Sequence, residues 1–162
     1  MKKVIFFSHN KNKIKEVLNF FNKTNINILS LESFQNVTEI NETGCTFEEN
    51  AKIKSNYGYE KLKLPCFADD SGICISAMNN FPGIKSKRFL KKHSTYKKTF
   101  SNIIDETKKF SDNRAYFQTS IALTINQNKT IFFNGVIKGR SFFRIASNQN
   151  HAFHCQRSMD KL

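Results

Sequence analysis

No C-x-x-C pair occurs among the four cysteines, Cys45, Cys66, Cys74 and Cys155, which argues against a zinc ribbon or a thioredoxin-type redox site. Reduced, mostly buried thiols are expected instead. No apolar run approaches the roughly 20 residues that a membrane span needs. Val4 to Phe7, after the basic Met1-Lys2-Lys3, is too short for the apolar region of a signal peptide. A cytoplasmic protein without membrane contact is therefore expected. Internal repeats, low-complexity linkers and a glycine-rich Walker or dinucleotide loop are also missing. Acidic residues are few, 13 against 26 lysines and arginines, for a formal net charge of +13. Such a balance suits a polyanionic partner: nucleic acid, a phosphorylated substrate or an anionic surface. The accompanying richness in Lys, Asn, Ile and Phe is what AT-rich codons produce, and no RNA-binding motif is recognisable. Nucleic acid is not the expected partner.

What is present suffices for one domain. The chain has 162 residues, 39% apolar, with 17 Phe, so a core of aromatic and β-branched side chains is expected. Val4–Phe7 reads as a short buried strand, and Ile14, Val17, Leu18 and Phe21 then fall at helical spacing. Ile26–Leu31 fits a second strand. Thr46-Phe47-Glu48-Glu49 has the T-x-x-E form of a capping box and predicts a helix from Thr46 to about Lys61. A strand from Pro65 ends in Asp69-Asp70-Ser71-Gly72, with Ile73–Met78 its continuation or return. A turn at Asn80–Gly83, a helix over Thr95–Phe110 with Phe100, Ile103 and Ile104 inward, and a hairpin turning at Asn126–Lys129 complete the reading. Helices alternating with strands before a late hairpin imply an α/β fold with a mixed sheet. From Arg140 to Leu162 neither periodicity nor a cap is legible.

Three places could carry chemistry. The loop after the first strand holds Ser8, Asn10 and Lys13, a hydroxyl, an amide and an ammonium beside a helix N-terminus, where backbone N–H groups and the helix dipole favour anions. An ordinary capped loop would look the same. Asp69 and Asp70 are adjacent carboxylates at the end of an apolar strand, costly unless they bind a cation or accept hydrogen bonds. A hard cation such as Mg²⁺, shared with substrate phosphates, is one partner; a turn with Asx-type bonds is the alternative. Glu42 offers a third carboxylate, and Lys54, eight residues beyond Thr46, could reach a phosphate or lie on the surface.

In order, spacing and identity these segments resemble the Ham1-like pyrophosphatases. The family's [ST]-x-N-x-x-K is matched by Ser8-His9-Asn10-Lys11-Asn12-Lys13. Its E-T-G-x-T-F-x-E-N-A-x-x-K is matched by Glu42-Thr43-Gly44-Cys45-Thr46-Phe47-Glu48-Glu49-Asn50-Ala51-Lys52-Ile53-Lys54. A-D-D-S-G-L is present as Ala68-Asp69-Asp70-Ser71-Gly72-Ile73, and P-G-x-x-S-x-R as Pro82-Gly83-Ile84-Lys85-Ser86-Lys87-Arg88. The resemblance implies an α/β fold with a mixed, twisted sheet flanked by helices, its C-terminal part incomplete. It also implies Mg²⁺-dependent hydrolysis of non-canonical purine nucleoside triphosphates (ITP, dITP, XTP) to the monophosphate and pyrophosphate.

Carried over by position, Ser8, His9, Asn10, Lys11, Asn12, Lys13, Lys54 and Ser71 would bind substrate. Glu42 and Asp70 would bind metal, Asp70 would accept the proton, and Asp69 would support it. A homodimer is implied as well. The family's late G-F-G-Y-D-P and S-H-R segments, which read the base, do not occur. Residues 1–139 are thus expected to form the pyrophosphatase domain and 140–162 a divergent tail, with base selectivity weakened. The alternatives are a catalytically impaired relic that still binds nucleotides and, ranked below it, a basic nucleic-acid-binding protein.

Overall fold

The computed structural model describes residues 2–34, 37–92 and 114–140, together with Ile103, Thr107, Lys109, Phe110 and Asp112. Among the described residues the strands and α-helices run in the order β1 (Lys2–Phe6), α1 (Lys11–Phe21), β2 (Ile26–Ser30), α2 (Phe47–Leu62), β3 (Cys66–Ile75), β4 (Phe81–Pro82), α3 (Ser86–Lys92), β5 (Arg114–Asn126) and β6 (Lys129–Arg140). The strand order is β2-β1-β3-β5-β6, with β4 pairing β3. β1 is parallel to β2 and β3, whereas β4 is antiparallel to β3. The expected mixed α/β sheet is therefore observed. The described residues fall into two units, those within Met1–Asp70 and Thr119–Asn134 and those within Ser71–Gln118 and Gly135–Leu162. No described helix is long and apolar enough to cross a membrane.

In the first unit, parallel pairing of β1 with its neighbours requires crossover connections, and α1 and α2 supply them. Alternation along β1 sends Phe6 to one face, where it packs with Ile14 and Val17 of α1 and with Ile28 and Phe67. Ile5 goes to the other, with Phe7, Leu31, Cys66, Ala68 and the α2 residues Tyr57 and Leu62. One helix thus covers each face, as period-two side-chain alternation in a doubly buried strand demands. Cys66 is fully buried, and burial pushes its thiol up to about 12 against the lowering effect of the Phe7 backbone. It packs as an inert small hydrophobe. Cys45, Cys66 and Cys74 are free thiols, the latter two buried.

At Gly58 α2 lies close against the sheet: a Cβ there would lie 2.4 Å from Cys66 Sγ and 2.8 Å from Phe7 Cδ2. Gly58→Ala gains about 1 kcal/mol in helix propensity and overpacks the contact by about 1–3 kcal/mol. The net expectation is a lower urea midpoint for Gly58→Ala. A midpoint at or above that of the parent would mean that helix and strand part without cost.

In the second unit, Cys74 and Ile75 of β3 pair with Pro82 and Phe81. Ile75, Ile103 and Ala115 form its core with Ile73, Met78 and Phe89 around them. Ser86 Oγ accepts the Ile73 N–H at 3.1 Å and donates to Gly83 O at 2.6 Å, closing the turn onto β3. Two sequence expectations change here. β3 runs unbroken through Asp69–Gly72 to Ile75, and the chain turns into a 3₁₀ segment at Ser76–Met78 rather than continuing as strand. Helix α3 was not expected, because seven residues with only Phe89 and Leu90 apolar carry no period. Of the helix expected over Thr95–Phe110, Ile103 and Thr107 are helical and Ile103 is buried. Phe100, Ile104 and the whole tail 141–162 lie outside the described residues.

Candidate active site

Between β1 and α1 the chain must stop pairing and start a helix, and Asn10 makes the change. Its extended backbone and its Oδ1, which accepts the N–H groups of Asn12 (3.0 Å) and Lys13 (3.3 Å), cap α1. Ser8 Oγ accepts the Asn10 N–H at 3.2 Å. The first turn of α1 holds no acidic residue, so nothing there competes with an incoming anion for the helix N-terminus. His9, Asn10, Lys11 and Asn12 are exposed, and Ser8 and Lys13 are half-buried. Lys13 leaves this loop to ion-pair with Asp69.

Asp69 and Asp70 do not act as a pair. Strand geometry sends successive side chains to opposite faces, and β3 remains extended through both. Asp69 therefore meets α1 through Lys13, while Asp70, 8% exposed, meets α2. There Asn50 and Lys54, four residues apart on one helical face, both reach it. Asn50 Nδ2 donates to Asp70 Oδ2 at 3.0 Å, and Lys54 Nζ stands 3.8 Å from Asp70 Oδ1.

The same ammonium lies 2.8 Å from Glu42 Oε1. What brings Glu42 within reach is the capping box. Thr46 Oγ1 accepts the Glu49 N–H at 3.1 Å, and Glu49 Oε2 accepts the N–H groups of Cys45 at 2.6 Å and Thr46 at 3.2 Å. Gly44 N–H adds a bond to Asn50 Oδ1 at 2.8 Å, folding the loop that carries Glu42 back over α2.

Two carboxylates thus share one ammonium, with side-chain exposures of only 10–17%. Charges so shielded are costly unless compensated, and the Lys54 ammonium compensates both carboxylates in part. Oxygen ligands gathered in this way suit a hard cation, as lysines and a helix N-terminus suit anions. Among the described residues no group of three His, Cys, Asp or Glu side chains gathers as a metal site. Glu42 and Asp70 are the convergent pair.

The Ham1 family model matches residues 4–154. This chain belongs to the Ham1 family. The match continues past Gly139, where no motif was legible. The dITP/XTP pyrophosphatase of Borreliella burgdorferi is 36% identical, the alignment covering 94% of this chain and 77% of that protein. That of Christiangramia forsetii is 34% identical over 85% and 71%. Among solved structures, a HAM1 protein from Coxiella burnetii superposes with a TM-score of 0.80 at 32% identity, covering 87% of this chain and 73% of that one. The Ham1 protein of Staphylococcus aureus gives 0.77 at 28% identity, covering 87% and 72%.

Within this Ham1 chain, the first unit brings Lys13 to Asp69 and Glu42, Lys54 and Asp70 to one another. Ser71 follows Asp70 in β3 and is half-buried. Ser8 and Asn10 spend their side-chain oxygens on the loop and cap. Asn50 was quoted above only as a motif position and given no role. Its sequence signal was a polar residue on the α2 face that also carries Ala51 and Ser55, both fully buried, where an amide must have partners.

Proposed function

We propose that this chain hydrolyses non-canonical purine nucleoside triphosphates, ITP, dITP and XTP, to the monophosphate and pyrophosphate. The observation that carries the reading is Lys54 shared between Glu42 and Asp70; the first turn of α1, capped by Asn10, holds no acidic residue. A triphosphate carries several negative charges. Lys13 and Lys54 offset them, and the segment Ser8-His9-Asn10-Lys11-Asn12-Lys13 offers N–H, hydroxyl and amide groups at the start of α1. Ser71, next to Asp70, contacts substrate in this reading.

The donor set fits Mg²⁺: Glu42 and Asp70 are hard oxygen ligands, and Mg²⁺ is usually held by one or two carboxylates plus substrate phosphates. When bound, Mg²⁺ supplies charge neutralisation and polarisation of the phosphate. Asp70 takes the proton of the attacking water as its oxygen bonds to the α-phosphorus. The bond to the β-phosphate oxygen breaks, and Lys13 and Lys54 stabilise the departing pyrophosphate. Asp69 supports this by holding Lys13.

Residues 1–139 carry the chemistry in this proposal and 140–162 form the tail. The G-F-G-Y-D-P and S-H-R segments that read the base in the family are missing from the sequence, so discrimination between bases falls before turnover does. The homodimer belongs to the same proposal and rests on the resemblance; the cytoplasmic location is proposed with it.

The test is pyrophosphate release from ITP, XTP, ATP and GTP, with and without Mg²⁺, at mildly alkaline pH. Mg²⁺-dependent release from ITP and XTP, with reduced preference over ATP and GTP, is expected. No release by a folded sample overturns the proposal and leaves a nucleotide-binding relic.

A further inference from the structure

Asn50 is 1% exposed, and its amide is engaged at both ends. Nδ2 donates to Asp70 Oδ2 at 3.0 Å, and Oδ1 accepts the Gly44 N–H at 2.8 Å. These bonds fix the amide's orientation, because a flip would set N–H against N–H and carbonyl against carboxylate. Gly44 follows Glu42 by two residues, and Glu42 and Asp70 face one ammonium. Asn50 therefore joins the loop bearing one carboxylate to the strand bearing the other.

The fit is close. A Cβ on Gly44 would fall 2.7 Å from Asn50 Oδ1 and 3.0 Å from the Asn50 backbone nitrogen, so the loop reaches the amide only without a side chain. Other residues fail for plain reasons. An apolar side chain at 50 removes the acceptor of the Gly44 N–H and the amide donor to Asp70 Oδ2, and an aspartate puts a second carboxylate against Asp70.

We infer that Asn50 is a positioning residue for the hydrolysis: it anchors Oδ2 of Asp70 and ties the Glu42 loop to it, leaving Oδ1 as the oxygen turned toward Lys54 and the reacting water. The inference rests on the proposed reaction. Asn50 touches no reacting atom, so its loss falls on the rate of the bound complex rather than on triphosphate affinity. Gly44 acts on the same bond from the other side.

Steady-state kinetics of ITP hydrolysis with Mg²⁺, together with melting curves, test this in Asn50→Ala and Gly44→Ala. Each is expected to lower kcat by about 10- to 100-fold, the usual effect of losing a side chain that orients a working ligand, with KM near the parent value. Should Asn50→Ala fail to fold, Gly44→Ala decides. A folded variant with parental kcat, or one whose KM rises while kcat holds, overturns the inference. Failure of both to fold overturns it in favour of a purely structural role. A parent without ITP turnover overturns the proposed reaction and this inference together; an active parent beside unimpaired variants overturns this inference alone.

Discussion

Asp70→Asn is expected to lower ITP turnover by about 10²- to 10⁴-fold, the range for loss of a positioned proton acceptor, while leaving the melting temperature close to that of the parent. The split between activity and stability follows from the partners of Asp70. Its Oδ2 accepts from Asn50 Nδ2, and an amide oxygen at position 70 can accept the same bond. Lys54 keeps its closer partner, Glu42, at 2.8 Å. The fold thus loses a buried negative charge while Asn50 and Lys54 each keep a partner, whereas the proposed chemistry loses its base, because an amide does not take a proton from water near neutral pH. Single-turnover and steady-state rates, measured beside thermal melts, check both halves. Retained turnover would remove Asp70 from the role of base.

Lys54→Met is expected to harm stability and substrate binding together. Methionine keeps the stem in place but removes the ammonium that Glu42 and Asp70 share. The two carboxylates then face one another with 17% and 10% of their side chains exposed. Removing one partner of a buried ion pair costs about 3–5 kcal/mol, and an exposed pair is worth about 0–1 kcal/mol. With these exposures the loss should lie between, at about 1–3 kcal/mol, read as a lower urea midpoint. KM for ITP should rise, because a phosphate partner is gone. A variant with unchanged midpoint and unchanged KM would mean that the ammonium bridges nothing of consequence.

The parts of this site that the sequence disclosed are those whose partners are near in the chain. The capping box spans four residues, Thr46 to Glu49, and its two reciprocal bonds depend on local geometry alone, so the start of α2 could be placed from the pattern. The β1-loop-α1 passage was legible for the same reason: the cap Asn10 and the bonds it makes lie within three residues. The pairings that make a site are distant. Lys13 finds Asp69 across 56 positions, and Asn50 finds Asp70 across 20. Nothing in periodicity announces either.

Asp69-Asp70 illustrates the difference. As a sequence pair it resembles one acidic site, but because β3 stays extended the two carboxylates part to opposite faces, one to each helix. That outcome depends on the strand continuing past Gly72, which the sequence left open as continuation or return. Glu42 and Lys54 were candidates by residue type alone, a third carboxylate and a helix lysine, and the family resemblance gave them roles; their contact with each other is seen only in the fold. Asn50 stood inside the same motif and went unassigned, because its partners are seen only in three dimensions.

Water attack on the α-phosphorus of the triphosphate, proposed above with Asp70 as proton acceptor, is tested by ITP hydrolysis in ¹⁸O-labelled water with Mg²⁺, followed by mass spectrometry of both products. The expected result is label in the inosine monophosphate and none in the pyrophosphate. Label in pyrophosphate, or release of labelled orthophosphate with inosine diphosphate, would place the attack on another phosphorus and contradict the account.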